Sequence, residues 1–142
     1  AHDARHASLF GVAVAGVSID GLAVMARVRA ERDRFVAAVL DGVDAIPKAK
    51  RLAGEARFLD ARTLAVGEGH RVAFRSAVIA TGSSPRVPKP LRGLGDAVLT
   101  TDTVFELPDL AESLAVVGGG PVGIEIAQAM ARLGVAVSVF DT

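Results

Sequence analysis

The chain has 142 residues, of which 51% are hydrophobic, 23% charged and 4% aromatic, with 15 glycines and 6 prolines. This composition is typical of one or two compact domains and argues against a disordered chain. Sixteen basic and sixteen acidic residues cancel, which excludes the broad positive surface of a nucleic-acid-binding protein. The uncharged stretches are shorter than the roughly 18 residues that cross a bilayer. We therefore predict no nucleic-acid partner and no membrane span.

The sequence contains no cysteine. A disulfide framework, a thiolate metal site and a redox-active dithiol are therefore excluded within this chain. His2 and His6 have the spacing of a helical metal-binding pair, but the sequence suggests no third ligand for them. We predict no metal site and no catalytic residue in the chain.

A long helix is predicted from Asp20 to about residue 43. Apolar residues recur there at steps of three and four, which is the helical period, and Asp20 is a residue type that caps helices. The apolar stripe consists of Leu22, Met25, Val28, Phe35, Val39 and Val43. The arginines of the same segment are expected to form a solvated helix face; they are Arg27, Arg29, Arg32 and Arg34.

Short β-type runs separated by turn residues follow the helix. They cover residues 56–59, 63–66, 71–74 and 77–80. Turns at such short intervals indicate antiparallel hairpins. Pro85, Pro88 and Pro90 then predict an extended connector, because proline fixes φ and has no amide hydrogen. A short helix is expected near residues 101–107.

The last part of the chain carries a glycine-rich turn between a predicted strand, 114–117, and a predicted helix, 122–133. The turn has the spacing G-x-G-x-x-G and consists of Gly118, Gly119, Gly120, Pro121, Val122 and Gly123. Gly134 suits the end of the helix, and 135–140 is predicted as a second buried strand. Strand, glycine turn, helix and strand together predict a dinucleotide-binding β-α-β unit.

The residues of the glycine turn have distinct expected roles. Gly118 permits the tight turn, Gly120 leaves room for a pyrophosphate, and Gly123 lets the helix pack closely on the strand. Pro121 costs little in the first helical turn, where its missing amide hydrogen has no partner to lose. Free amides at the positive end of the helix dipole can hold a pyrophosphate without any lysine.

Two acidic residues are candidates for further contacts with the nucleotide. Asp141 lies 18 residues beyond Gly123, at the end of the second strand. A carboxylate there accepts hydrogen bonds from ribose hydroxyls and repels a 2′-phosphate, so NAD is favoured over NADP. Glu125, which we place on the first turn of the helix, either faces the cofactor or serves as a partner of the helix dipole.

A second motif, Ala80-Thr81-Gly82-Ser83, follows the predicted strand 76–80. With the proline connector and the G-x-G-x-x-G unit, it makes the chain resemble the middle of the FAD-dependent pyridine nucleotide–disulfide oxidoreductases, and most closely their dihydrolipoamide dehydrogenase branch. The other matching segments are 35–39, 42–43, 54–58, 104–107 and 115–125. The likeness covers nearly the entire chain.

The resemblance implies an α/β, Rossmann-like FAD/NAD(P)-binding fold, present only in part, with a small antiparallel β-meander inserted in the FAD domain. Residues 1–111 would form part of the FAD-binding domain with a linker, and residues 112–142 would begin the NAD-binding domain. Ala56, Thr81, Gly82 and Ser83 would approach FAD. The nicotinamide cofactor would lie along residues 118–125, with Asp141 at its ribose.

The resemblance also implies an activity that this chain cannot complete alone. Family members begin with their own FAD-binding G-x-G-x-x-G, carry a C-x-x-x-x-C dithiol and end in a dimerisation domain with a His-Glu pair, and this sequence has none of the three. We expect an internal fragment of a cytoplasmic, homodimeric flavoprotein that acts on dihydrolipoamide or another disulfide substrate with NAD. A glutathione- or mercuric-reductase-like enzyme and a non-catalytic NAD-binding module are the alternatives.

Overall fold

A computed structural model describes residues 1–141. In chain order, its elements are α1 (His2–Arg5), α2 (Gly21–Asp44), β1 (Ala56–Asp60), β2 (Thr63–Val66), β3 (His70–Ala73), β4 (Ser113–Val117), α3 (Pro121–Arg132) and β5 (Ala136–Phe140). Short 3₁₀ helices cover Ala7–Phe10, Lys48–Lys50, Lys89–Ala97 and Val104–Glu106. The mixture of helices and strands confirms an α/β protein.

The chain divides into two compact units. The first unit comprises Ala1–Arg32 and the chain from Val87 onward, and the second comprises Asp33–Arg86. The change at residue 86 falls within the proline-rich connector. The connector itself is extended only as far as Pro88, because a 3₁₀ helix begins at Lys89. The domain boundary expected at residue 111 stays a prediction.

The predicted β-α-β arrangement is present in the first unit. Strands β4 and β5 pair in parallel, in the register that places Val117 opposite Phe140, and α3 connects them. Beneath the helix, the core consists of Val104, Met130 and Val135, with Leu99, Leu107, Leu110, Leu114, Ile126 and Val137 packed against it. Apolar burial against the sheet therefore holds α3 in place.

The end of α3 confirms the predicted role of Gly134. Gly134 has a φ of +98°, which glycine adopts without a steric penalty. Its amide donates to the Ala131 carbonyl at 3.0 Å, and the Val135 amide donates to the Met130 carbonyl at 3.1 Å. This pair of bonds is the Schellman motif, which stops the helix and turns the chain into β5.

The expectation that the second strand is buried is wrong for most of β5. Only one of its five residues is even partly buried, and Phe140, at its end, is 57% exposed. A parallel strand is buried on both faces only when a layer covers each face. Among the described residues, α3 is the one element with extensive contacts to this two-stranded sheet.

Helix α2 confirms the long predicted helix and its cap. The Asp20 carboxylate accepts a hydrogen bond from the Ala23 amide at 2.9 Å, which satisfies one of the free donors at the helix start. Within the predicted apolar stripe, Met25 is the one buried residue and Val28 is partly buried, whereas Leu22, nearer the helix start, is exposed. Met25 is 2% exposed, whereas Phe35 is 71% exposed. Helical periodicity predicts which residues share a face but not how much of that face is covered.

Two of the four arginines on α2 contact the segment that precedes β4. Arg29 donates to the Leu107 carbonyl at 2.5 Å and is partly buried, and Arg32 forms an ion pair with Glu106. The prediction of a fully solvated arginine face is therefore wrong for these two side chains. The Leu107 carbonyl directly follows a 3₁₀ helix, where carbonyls lack helical partners, and Arg29 supplies the missing donor.

The second unit contains an antiparallel sheet of three strands in the order β1-β2-β3. Val66 is its buried apolar residue, and the rings of Phe58 and Phe74 meet edge to face at 5.9 Å. These strands confirm three of the four predicted β-type runs. The fourth is wrong, because residues 76–80 form no strand and Val78 is 92% exposed. β-branched residues form a strand only where another strand supplies hydrogen bonds and packing.

We expect Arg29→Ala to lower the free energy of unfolding of the chain by about 1–2 kcal/mol, because it leaves the Leu107 carbonyl without its charged donor. Arg27→Ala is the matched control, since Arg27 lies exposed on the same helix. Urea denaturation followed by circular dichroism measures both. Equal unfolding free energies for the two variants would contradict a stabilising role for Arg29.

Candidate functional site

The candidate site lies where β4 ends and α3 begins. Gly118 has a φ of +113°, a backbone conformation that other residues rarely adopt, and its amide donates to the Phe140 carbonyl at 2.8 Å. The chain then reaches Pro121, the first residue of α3. Gly118 therefore makes the tight turn while it stays hydrogen-bonded to the end of β5.

Gly123 lies at the closest approach between helix and strand. A Cβ added there would overlap the carbonyl oxygen of Gly118 and come within 3.4 Å of Val116 Cγ1. The obstructing atoms are mainly backbone, which cannot rotate away as a side chain can. A residue without a side chain is therefore required at this position for α3 to start directly above the turn.

Gly120 differs from Gly123 in this respect. A Cβ added to it meets no atom of the described chain within 4 Å, and its φ of −70° is accessible to any residue. Neither backbone conformation nor packing within the chain thus requires glycine here. The bare backbone does suit a ligand that approaches closely, and in this respect the residues present fit a dinucleotide pyrophosphate.

The start of α3 supplies amide donors beside Gly120. No side chain caps the helix, and its first helical hydrogen bond runs from the Ile124 amide to the Gly120 carbonyl at 3.0 Å. The amides of Val122 and Gly123 precede that bond, and Pro121 has no amide hydrogen. Donors of this kind, at the positive end of a helix dipole, can bind an anion.

Asp141 is brought to the same turn by the parallel pairing of β4 and β5. Because Val117 lies opposite Phe140, the residues that follow these two, Gly118 and Asp141, both lie at the site. A Cβ added to Gly119 would lie 2.8 Å from Asp141 Oδ2, so the carboxylate lies directly beside the turn. The sequence predicts Gly119 only as part of the cofactor-binding turn. Its closeness to Asp141 was not predicted, since nothing local signals a contact with a residue so distant in the chain.

Glu125 is not on the first turn of the helix. Helix α3 begins at Pro121, so Glu125 is its fifth residue, and the first turn contains no acidic residue. The effect of the helix dipole falls off within the first turn, which removes the physical basis for treating Glu125 as a dipole partner. Its carboxylate is exposed, and its contact with a cofactor stays a prediction.

The four candidates for FAD contacts lie in the second unit. Ala56 is the first residue of β1 and pairs with Val66. Thr81, Gly82 and Ser83 follow the sheet in an exposed segment without regular structure, where Gly82 has a φ of +69°. The structure thus gathers the glycine turn and Asp141 in one place in the first unit, whereas the FAD candidates belong to the second unit.

Other kinds of site find no support in residues 1–141. Within them, no group of three His, Cys, Asp or Glu side chains is placed to hold a metal ion. His2 and His6 do lie together, with ring centroids 4.2 Å apart, but Nδ1 of His6 is hydrogen-bonded to the His2 carbonyl. No helix in the same range is long and apolar enough to span a membrane.

Comparisons with known proteins agree with this geometry. A family profile described as pyridine nucleotide-disulphide oxidoreductase matches residues 8–142. Dihydrolipoyl dehydrogenase of Geobacillus stearothermophilus is 31% identical over 97% of this chain and 30% of its own length. Dihydrolipoyl dehydrogenase of Bacillus subtilis is 34% identical over 97% of this chain and 31% of its own length. Mercuric reductase of Shigella flexneri is 38% identical over 91% of this chain and 24% of its own length.

The chain thus spans between 24% and 31% of the length of these relatives. Proteins of the matched family use FAD together with NAD(P). Because the family profile covers residues 8–142, nearly the whole sequence, the chain belongs to the pyridine nucleotide-disulphide oxidoreductase family.

Proposed function

We propose that this chain is the nucleotide-binding part of a flavoprotein oxidoreductase and that its glycine turn holds the pyrophosphate of NAD. The contrast between Gly123 and Gly120 carries the proposal. Packing within the chain explains why Gly123 has no side chain, whereas nothing within the described chain explains it for Gly120. Beside Gly120 lie the uncapped amides of α3, which suit the charge of a pyrophosphate.

The remaining contacts follow from the positions of the other candidates. Gly118, Gly119, Pro121, Val122 and Gly123 line the same turn, and Asp141 would accept hydrogen bonds from the ribose and disfavour the 2′-phosphate of NADP. Bound NAD would supply a hydride acceptor. Glu125 would lie along the nucleotide on the exposed side of α3.

For the flavin, we propose that Ala56, Thr81, Gly82 and Ser83 contact FAD. The three strands β1, β2 and β3 would then be a small meander inserted in the FAD domain. This assignment rests on family membership and on the exposed, glycine-containing backbone at Thr81–Ser83, which a flat ligand can approach closely.

We propose further that the parent protein is a cytoplasmic, homodimeric dihydrolipoamide dehydrogenase, whose dithiol lies outside this cysteine-free chain. Two relatives named dihydrolipoyl dehydrogenase, at 31% and 34% identity, support this assignment. The second candidate is a mercuric reductase, supported by a relative of that name at 38% identity.

An activity assay on the parent protein separates the two candidates. We expect NAD-dependent oxidation of dihydrolipoamide and no reduction of Hg²⁺. The assay compares NADH formed from dihydrolipoamide with NAD(P)H consumed in the presence of Hg²⁺. Turnover of Hg²⁺ without turnover of dihydrolipoamide would contradict the first candidate and favour the second.

Gly120→Val is expected to abolish NADH binding, because the branched side chain would occupy the position that the pyrophosphate needs. Fluorescence titration of the full chain with NADH measures the affinity. Gly93→Val is the matched control, since Gly93 also has open space around it and no positive φ but lies outside the turn. Unchanged NADH affinity in Gly120→Val would refute the pyrophosphate assignment.

Asp141→Asn is expected to reduce the preference for NADH over NADPH by about tenfold, because a charged acceptor for the ribose hydroxyls and a repulsive charge are both lost. The same titration with each nucleotide measures the ratio of affinities. Asp96→Asn serves as control, since Asp96 is exposed and lies in another segment. An unaltered ratio in Asp141→Asn would contradict a ribose contact by this carboxylate.

A further inference from the structure

We propose that Gly119 is a positioning residue for nucleotide specificity: its missing side chain leaves the volume that the Asp141 carboxylate occupies beside the turn. This inference rests on the proposed NAD site and adds a second residue to its specificity. The G-x-G-x-x-G pattern leaves this position unspecified, so the role comes from the structure alone.

The contact is specific to one side chain. The three atoms nearest to a Cβ added at Gly119 are Oδ2, Cγ and Cβ of Asp141, at 2.8, 3.1 and 3.3 Å. Real Cβ atoms essentially never approach another heavy atom more closely than 3.0 Å. A side chain at position 119 and the carboxylate in its present position therefore exclude each other.

A side chain at position 119 would displace the Asp141 carboxylate rather than disturb the fold. Gly119 does not have a positive φ, so its backbone accepts an L-amino acid without strain. The obstructing atoms belong to a side chain that can rotate, and Asp141 is exposed. Gly123 is the opposite case, because there an added Cβ would overlap the backbone oxygen of Gly118.

Displacement of the carboxylate has a defined chemical consequence. A hydrogen bond from a ribose hydroxyl weakens steeply once its distance and angle depart from the optimum, so NADH would be held less tightly. Repulsion of a 2′-phosphate falls as the negative charge moves away from it, so NADPH would be disfavoured less. A side chain at position 119 would thus act on specificity without touching the nucleotide.

The test is a double-mutant cycle on the full chain with NADH and NADPH as probes. The proteins are the wild type, Gly119→Ala, Asp141→Asn and the double variant. We expect Gly119→Ala to reduce the NADH preference about as much as Asp141→Asn does, roughly tenfold. In the double variant the alanine should add no further change, because the carboxylate through which it acts is already absent.

Gly93→Ala is the matched control and should keep the wild-type preference, since an added Cβ there meets open space. Circular dichroism spectra and melting curves are expected to be the same for Gly119→Ala and the wild type.

Three results would overturn the inference. If Gly119→Ala keeps the wild-type ratio of NADH to NADPH affinity, the position of the carboxylate does not depend on the missing side chain of Gly119. If adding Gly119→Ala to Asp141→Asn lowers the affinities for NADH and NADPH equally, the alanine obstructs the nucleotide directly. Wild-type protein that binds neither nucleotide would overturn the proposed function, and this inference with it.

Discussion

The close approach of α3 to β4 is the constraint on which the candidate site depends. Because Gly123 has no side chain, the helix starts directly above the Gly118 carbonyl, and three residues suffice to join Val117 to Pro121. Gly120, at the cap position, has no side chain that could accept from the first amides of α3, so these amides stay uncapped at the end of the sheet. The same turn lies beside the end of β5, where Asp141 is. The close approach of helix and strand thus positions the amide donors, and the parallel pairing of β4 and β5 brings the carboxylate to the same edge.

The glycines of the motif are therefore distinguished by what surrounds them. Backbone conformation requires glycine at position 118, and packing of helix on strand requires it at position 123. A Cβ added at position 119 would meet the flexible Asp141 carboxylate, and one added at position 120 would meet no described atom within 4 Å. A side chain at position 118 or 123 would therefore conflict with the backbone of the turn. Substitutions at the other two are expected to change ligand binding while the fold is kept.

The buried core of the first unit lies toward the end of α3 and the start of β5, away from the glycine turn. Met130 and Val135 pack with Val104 in its core, which ties α3 and the start of β5 to the segment before β4. Arg29 fixes the same segment through the Leu107 carbonyl. In the second unit, by contrast, Phe35 and Val78 stay largely exposed, and Val66 alone among its described apolar residues is buried. The first unit thus contains more buried apolar side chains than the second, although Val117, Val122 and Phe140 at the glycine turn are themselves exposed.

Features that depend on neighbours along the chain are those that the sequence predicts correctly. The Asp20 cap, the Gly134 helix end, the three hairpin strands and the glycine turn each follow from local backbone chemistry, so residue type and spacing sufficed to predict them. Contacts between distant residues could be seen only in the folded chain: the Leu107 carbonyl beside Arg29, the Asp141 carboxylate beside Gly119, and the lack, among the described residues, of a partner strand for residues 76–80. Periodicity gives the direction of a side chain, but its burial or pairing depends on which distant segment packs against it.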